Sequence, residues 1–473
     1  TGTMFMNGSE THWGIEGVFM RLNYNYKYKY LLELDGRYDG TSKFARGSRY
    51  AFFPSVSAGW AISEEAFWQP MKHFWDYMKI RASYSSLGNQ AVSGNFPYLP
   101  TYGVDTSLGY LLGGSRPVAV SPASLVSAGL TWETVRQVDF GFNATFLSRL
   151  EVTFDWYRRN TLNMLVSGQR LPAVLGASVP DENAADMGTK GFEVTVGWND
   201  RLENGLSYHI RGVLADYQSE ITRYGANPNG LIDNNGLIDN GDPHYEGEKL
   251  GEIWGYSSKG LFQSDEEVAS SPSQSKIWGG NWQAGDVKYE DLNGNGEIDY
   301  GDNTLSNPGD RKVIGNNTPR FSFGIDAGVE FKQFDFRMFW QGIGKRDYMP
   351  RGVHLWGFTS EWDVPLKPAL DYWTEDNPGA YFPRPNWNNE GNRQTSDRYL
   401  QDASYIRLKS VMLGYTLNPS LTAKWHIQRL RIYVNGENPL TFTRMIDSFD
   451  PETIDNKTYP IMKKYSVGFN ITF

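Results

Sequence analysis

Residues 21–30 read RLNYNYKYKY. Leu22, Tyr24, Tyr26, Tyr28 and Tyr30 fall on every second position, and Arg21, Asn23, Asn25, Lys27 and Lys29 fill the gaps. Period 2 marks a strand with two unlike faces. A soluble core would put aliphatic residues on the inner face. Here a tyrosine ladder opposes a ladder of cations and amides. Tyrosine buries its ring and keeps its hydroxyl wet, as suits a membrane interface. The even positions stay apolar through Leu32, Leu34 and Tyr38, with Glu33, Asp35 and Arg37 opposite. A two-residue loop would swap the faces. A three-residue loop, Lys27-Tyr28-Lys29, with Tyr26 opposite Tyr30, keeps them. Tyr28 is therefore expected in a turn and not in the ladder.

Strand patterns of this kind recur along the chain, and helical ones are scarce. They fall at about 18–26, 30–39, 49–62, 74–86, 131–147, 150–162, 190–199, 206–221, 319–331, 334–346, 403–416, 428–437 and 463–473. The links between them alternate. Those at 27–29, 148–149, 200–205 and 332–333 are short, 63–73 and 418–427 are moderate, 40–48 is longer, and those at 87–130, 163–189, 222–318, 347–402 and 438–462 are long. An outer-membrane barrel has this asymmetry, with tight turns on the periplasmic side and long loops outside. Several strands exceed the roughly 9–11 residues that cross a bilayer, as barrel strands projecting beyond it would. In KYSVGFNITF (464–473), Tyr465, Val467, Phe469, Ile471 and Phe473 share a face and the chain ends on an aromatic.

Composition bounds the rest. The chain has 473 residues, 15% aromatics, 50 glycines, no cysteine and a net charge of -9. Its acids and bases are interspersed, without the basic block that nucleic acid requires, so no nucleic-acid partner is read. Disulfides and thiolate metal sites are excluded. No stretch approaches the roughly 20 apolar residues of a spanning helix. Mean hydropathy is -0.52, which is compatible with spanning strands because they alternate. The chain begins TGTMFMNG, without an initiator Met or signal peptide, and is read as a processed or partial product.

The blocks LNYNYKYKYLLELDGRYDGTSKF, RYAFFPSVSAGWAISEEAFW, MKIRASYSSLGNQ, LTWETVRQVDFGFNATFLSRLEVTFDWYRRNTLNML, DVKYEDLNGNGEIDYGD and LQDASYIRLKSVMLGYTL occur in that order. So do LRIYVNGENPLTFT and DPE at 450–452. Together they resemble the SusC/RagA family of TonB-dependent outer-membrane transporters over nearly the whole chain. The resemblance implies an all-β fold, a transmembrane antiparallel β-barrel. Residues 1–473 would then be the C-terminal portion, about 13 strands of a plugged barrel of about 22. The plug and earlier strands are not recognised in this chain. It further implies import of oligosaccharides or peptides, a SusD-like surface lipoprotein partner, the TonB complex acting through the plug, and outer-membrane lipid around the strands. A siderophore- or cobalamin-type TonB receptor without a lid is one alternative, and a soluble secreted β-rich glycan-binding protein is another.

One local motif points to a cation. DLNGNGEIDYGD (291–302) has calcium-loop spacing. Asp291, Asn293 and Asn295 would offer side-chain oxygens, Glu297 its carbonyl, Asp299 a direct or water-mediated ligand, and Asp302 the closing carboxylate. Ca2+ would staple a long outer loop; the plain alternative is an Asn/Gly-rich turn. NGLIDN, repeated at 229–234 and 235–240, is a weaker copy in which Asp233 and Asn235 would be ligands and Leu231 fills the first ligand position.

Catalytic constellations are not found. The six histidines are scattered, and H-E-x-x-H, G-x-S-x-G and P-loop patterns are lacking. Glu133, Asp139, Asp155 and Glu193 sit in strands and suit a watery lumen or a solvated face better than a glycosidase pair. No enzyme is read. The loop stretches SKIWGGNWQAG, HLWGFTSEWDVP and YFPRPNWNNEGN carry aromatics that would either contact a ligand or pack loop on loop.

Overall fold

The computed structural model describes residues 8, 10–105, 109, 111–121, 123–127, 129–169, 171–232, 244–357, 359–454 and 459–473. Thirteen strands form one antiparallel sheet in which every neighbour in space is a neighbour in sequence. They are β1 (Ile15–Tyr26), β2 (Tyr30–Thr41), β3 (Tyr50–Ala61), β4 (Trp75–Asn89), β5 (Glu133–Phe146), β6 (Leu150–Ser167) and β7 (Asp181–Arg201). The series continues with β8 (Ser207–Tyr224), β9 (Arg320–Phe331), β10 (Phe334–Lys345), β11 (Tyr405–Thr416), β12 (Arg429–Thr443) and β13 (Lys464–Thr472). All thirteen lie where alternation places them. The largest boundary errors are at β7, which starts at Asp181 rather than 190, and β12, which runs on to Thr443. Both extensions lie at the long-loop ends, where polar and apolar residues cease to alternate.

The two faces follow from the register. Leu22, Leu34, Val56, Tyr84 and Val138 form one rung across β1 to β5. Tyr208, Val329, Phe336, Leu413, Val434 and Val467 form another across β8 to β13. Most of these side chains are exposed in the isolated chain; Val467 is 74% exposed and Leu22 53%. An apolar face spanning thirteen strands far exceeds what water tolerates, and lipid is the medium that suits it. The opposite face carries rungs such as Asn23, Glu33, Ser57, Ser83 and Asp139.

Turn chemistry sets the faces. Tyr26 pairs with Tyr30, and Lys27 and Tyr28 take φ of 54° and 57°. Lys29 N–H donates to Tyr26 O at 3.0 Å. Tyr28 is thus the turn residue expected from parity. The turn after β5 repeats this, with Phe146 opposite Leu150 and positive φ at Leu147 and Ser148. By contrast Phe331 pairs with Phe334 across two residues. Parity swaps there, and the apolar positions accordingly move from Val329 and Phe331 to Phe334 and Phe336.

Rings gather at this short-turn rim. Tyr26, Tyr30 and Trp60 stack in succession at 6.4 Å each, and Phe334 meets Tyr415 at 4.9 Å. Glu65 accepts from Tyr30 Oη (2.7 Å), Trp60 Nε1 (3.2 Å) and Lys29 Nζ (3.2 Å). Aromatic bodies with bonded polar tips make an interfacial girdle. Among the described residues no helix is long and apolar enough to cross a membrane.

At the other rim the long links build a layer with its own core. Tyr256, Leu261, Val287, Tyr289, Ile298, Leu355, Trp356, Trp373, Phe382 and Tyr399 are buried together. Two short ladders brace it, Glu252–Tyr256 with Arg311–Asn316 and Ser258–Leu261 with Val287–Tyr289. A second cluster of Phe44, Phe53, Leu130 and Trp132 lies under the link between β4 and β5.

Candidate functional site

The chemistry concentrates on the polar face and on the loop layer above it. On the polar face, charges pair across an intervening strand. Arg81, Gly141 and Asp155 occupy one rung of β4, β5 and β6. Arg81 Nη1 and Nη2 donate to the two Asp155 oxygens at 2.5 and 2.6 Å. A Cβ on Gly141 would stand 2.4 Å from Asp155 Oδ1 and 2.9 Å from Arg81 Nη1, so only glycine lets the fork pass over β5. The same device recurs at Gly414, over which Arg431 reaches Asp335 at 2.9 and 2.5 Å. Asp326 accepts from His209 (2.9 Å) and Arg337 (3.0 Å). Asp139, Asp155 and Glu193 all lie on this charged face, as the lumen reading expects. Two hollows indent it. One of 590 Å3 is bounded by Asn23, Glu33, Lys79, Arg81 and Asp139, and one of 520 Å3 by Arg149, Asp200, His209 and Glu330.

Above the wall, the last long link bends back onto it. Arg407 donates to Glu452 (2.6 Å), to both oxygens of Asp450 (2.9 and 2.8 Å) and to Thr441 Oγ1 (2.9 Å). Lys409 Nζ adds two contacts to Glu452 at 2.9 and 3.1 Å. Alternation puts Arg407 and Lys409 on one face, both reach Glu452, and a register shift falls between Leu408 and Ser410 of β11. Ile446 and Phe449 of the same link pack against the outer core. Burial pushes the Asp450 carboxyl up, but the Glu452 N–H and Arg407 outweigh it and hold it below its ordinary value.

The loop aromatics divide. Trp282, Trp356, Tyr381 and Phe382 belong to the outer core, with Trp356 edge-on to Tyr399 at 4.4 Å. They pack loop on loop. Trp362 (84% exposed) and Trp387 (48%) do not.

The expected cation loop forms a set of tight turns. Asp291 accepts N–H bonds from Gly294 (2.6 Å) and Gly296 (2.8 Å), Asn293 from Asn295, and Asn295 from Glu297. Gly296 takes φ +84°, which its place in the motif requires. The Gly296 N–H chiefly lowers the Asp291 carboxyl below its ordinary value. Asp299 accepts from Gly301 N–H, and Asp302 from Asn307 Nδ2 at 2.9 Å. Fully buried Asp310, unremarked in the sequence, pins the loop by accepting from Leu292, Asn293 and Asp299. Among the described residues no three His, Cys, Asp or Glu side chains gather as a metal group. Asp233 and Asn235 of the upstream copy lie outside the described residues.

Known proteins share this architecture. A family model described as TonB dependent receptor-like, beta-barrel, matches residues 2–438. TonB-dependent receptor P3 of Formosa agariphila is 29% identical over 96% of this chain and 45% of its own length. TonB-dependent receptor SusC of Bacteroides thetaiotaomicron is 23% identical over 96% of this chain and 43% of its own length. A structure of the RagAB peptide transporter superposes with a TM-score of 0.75 at 20% identity, covering 98% of this chain and 48% of that one. The chain spans somewhat under half the length of the curated relatives it matches.

Proposed function

The chain belongs to the TonB-dependent receptor-like β-barrel family, an outer-membrane family, and from this premise we propose that it supplies the wall and outer loops of a SusC/RagA-type nutrient importer. The supporting observation is the single sheet with one continuous apolar face and one charged face. The wall does no chemistry in this reading. It encloses a polar passage in which a plug, driven by the TonB complex, releases an oligosaccharide or a peptide. A SusD-like lipoprotein covers the outer layer. The long, mutually packed loops favour this lidded type over a siderophore- or cobalamin-type receptor. The test is purification of the full-length protein from outer membranes. A heat-dependent shift in gel mobility and a co-purifying lipoprotein are expected. Solubility without detergent and no mobility shift would overturn the reading; a heat shift without the lipoprotein would favour the unlidded type.

We further propose that the 291–302 loop takes Ca2+ or a similar hard cation, with Asp291, Asn293 and Asn295 as the first oxygens and the Glu297 carbonyl, Asp299 and Asp302 drawn in on binding. Support comes from the motif spacing around Gly296, where the side-chain oxygens of Asp291, Asn293 and Asn295 already order the turn by accepting its backbone N–H groups. Millimolar calcium should raise hydrogen-exchange protection of 291–302, and Asp291→Asn should abolish the gain. Equal protection with and without calcium would leave the loop to Asp310 and its other hydrogen bonds and end the proposal.

A further inference from the structure

The outer-loop layer holds a hollow of about 30 Å3 lined by two arginines and three asparagines. Buried Trp356 and Phe382 wall it, and exposed Tyr372 stands at its mouth. Arg384, Arg393 and Asn389 also line it, and no carboxylate does. Arg384 gives Nη1 to Gln283 Oε1 at 2.5 Å, and its Nη2 stands 3.9 Å from Asp286. Its buried Nε meets no acceptor. Asn389 is fully buried and accepts the Asn392 N–H at 3.3 Å. Its Nδ2 lies near Asp286 without a hydrogen bond of ordinary geometry. Arg393 gives Nη1 to Trp387 O at 2.8 Å, and burial lowers its pKa from the ordinary value.

Buried donors without acceptors are costly, and native proteins meet them with a ligand or water. Two guanidiniums and an amide line one hollow, and two of their N–H donors, Arg384 Nε and Asn389 Nδ2, meet no acceptor of ordinary geometry. The complement is a small group that only accepts. Its size is that of one or two water-sized groups.

We propose that this hollow receives a carboxylate at the end or edge of the imported oligomer. Arg384 Nε and Asn389 Nδ2 donate to its oxygens, Arg393 supplies charge, and Trp356 and Tyr372 flank the residue that bears it. A free peptide C-terminus and a uronate sugar share this chemistry. The proposal rests on the importer reading, in which the outer loops meet the nutrient first.

The test is calorimetric titration of the full-length, detergent-purified protein with trialanine, trialanine amide, galacturonate and galactose. A free carboxylate should bind at least ~10-fold more tightly than its neutral counterpart. Trialanine alone would assign a peptide, and galacturonate alone a uronate glycan. Arg384→Met should remove the preference. Because Arg384 also holds Gln283, Arg393→Gln is the second variant and should weaken charged probes only. Equal affinities for charged and neutral probes, no binding of any, or unchanged preference in both variants would overturn the proposal and leave the hollow to water. These outcomes are separate from the heat-shift assay, which tests the importer reading without any ligand.

Discussion

Replacing Arg407 by Met is expected to release the last outer loop from the wall. Arg407 is 3% exposed, and its partners Asp450 and Glu452 are themselves largely buried. Removing one member of a buried charge cluster strands the others, at a cost of about 3–5 kcal/mol. Only Lys409 would remain to face Glu452. Hydrogen exchange across 444–454 should accelerate by several orders of magnitude, while β4 to β8 stay protected. The loop carries Ile446 and Phe449 into the outer core, so protection of 254–261 should fall with it. Unchanged exchange at 444–454 would show that apolar packing alone fixes the loop. Acid should act in the same direction. The Asp450 carboxyl is depressed in the folded protein. Its contribution is therefore fully present above the unfolded value of about 3.9 and is lost as pH falls through the lower, folded one. Loop protection should be flat from about pH 7 to 5 and decline below about 4. A decline already near pH 6 would assign the sensitivity to another group.

Phe140→Arg is expected to have the second large effect. Phe140 shares the apolar face with Val138 on β5 and lies six residues before the strand ends at Phe146. At roughly 3.4 Å per residue and a tilt near 40°, that places it close to the bilayer midplane. A cation there costs about 2–4 kcal/mol. Asp139→Asn, one residue away, faces the polar side and should change stability little. The comparison is a folding titration of both variants into lipid vesicles. Equal destabilisation by the two would mean that the faces are assigned wrongly.

Much of the wall was legible because its causes are local. The swap between Phe331 and Phe334 came only with the pairing that the structure shows, but the Tyr28 turn follows from parity alone. Glu133, Asp139, Asp155 and Glu193 read as lumen residues for the same reason. The partnerships among them were not legible. Nothing in the order of residues joins Arg81 to Asp155, 74 positions apart, because Gly141 becomes a gap only when β5 lies between them. Asp310 was missed in the cation loop because its role is to accept from backbone N–H groups that carry no side-chain signal. The loop tryptophans looked alike in sequence; burial separated Trp282 and Trp356 from Trp362 and Trp387.

By itself the sequence determined thirteen strands, their two faces and the side on which the long links lie. Each depends on a two-residue period or a turn length, and both are written within a dozen residues. Only the tertiary structure decided that the long links share one core, that Arg407 clasps Asp450 and Glu452, and that Arg384 and Asn389 meet over one hollow. Those contacts join segments without periodicity, up to about a hundred residues apart. Which donor is left without an acceptor depends on the packing of every other loop around it.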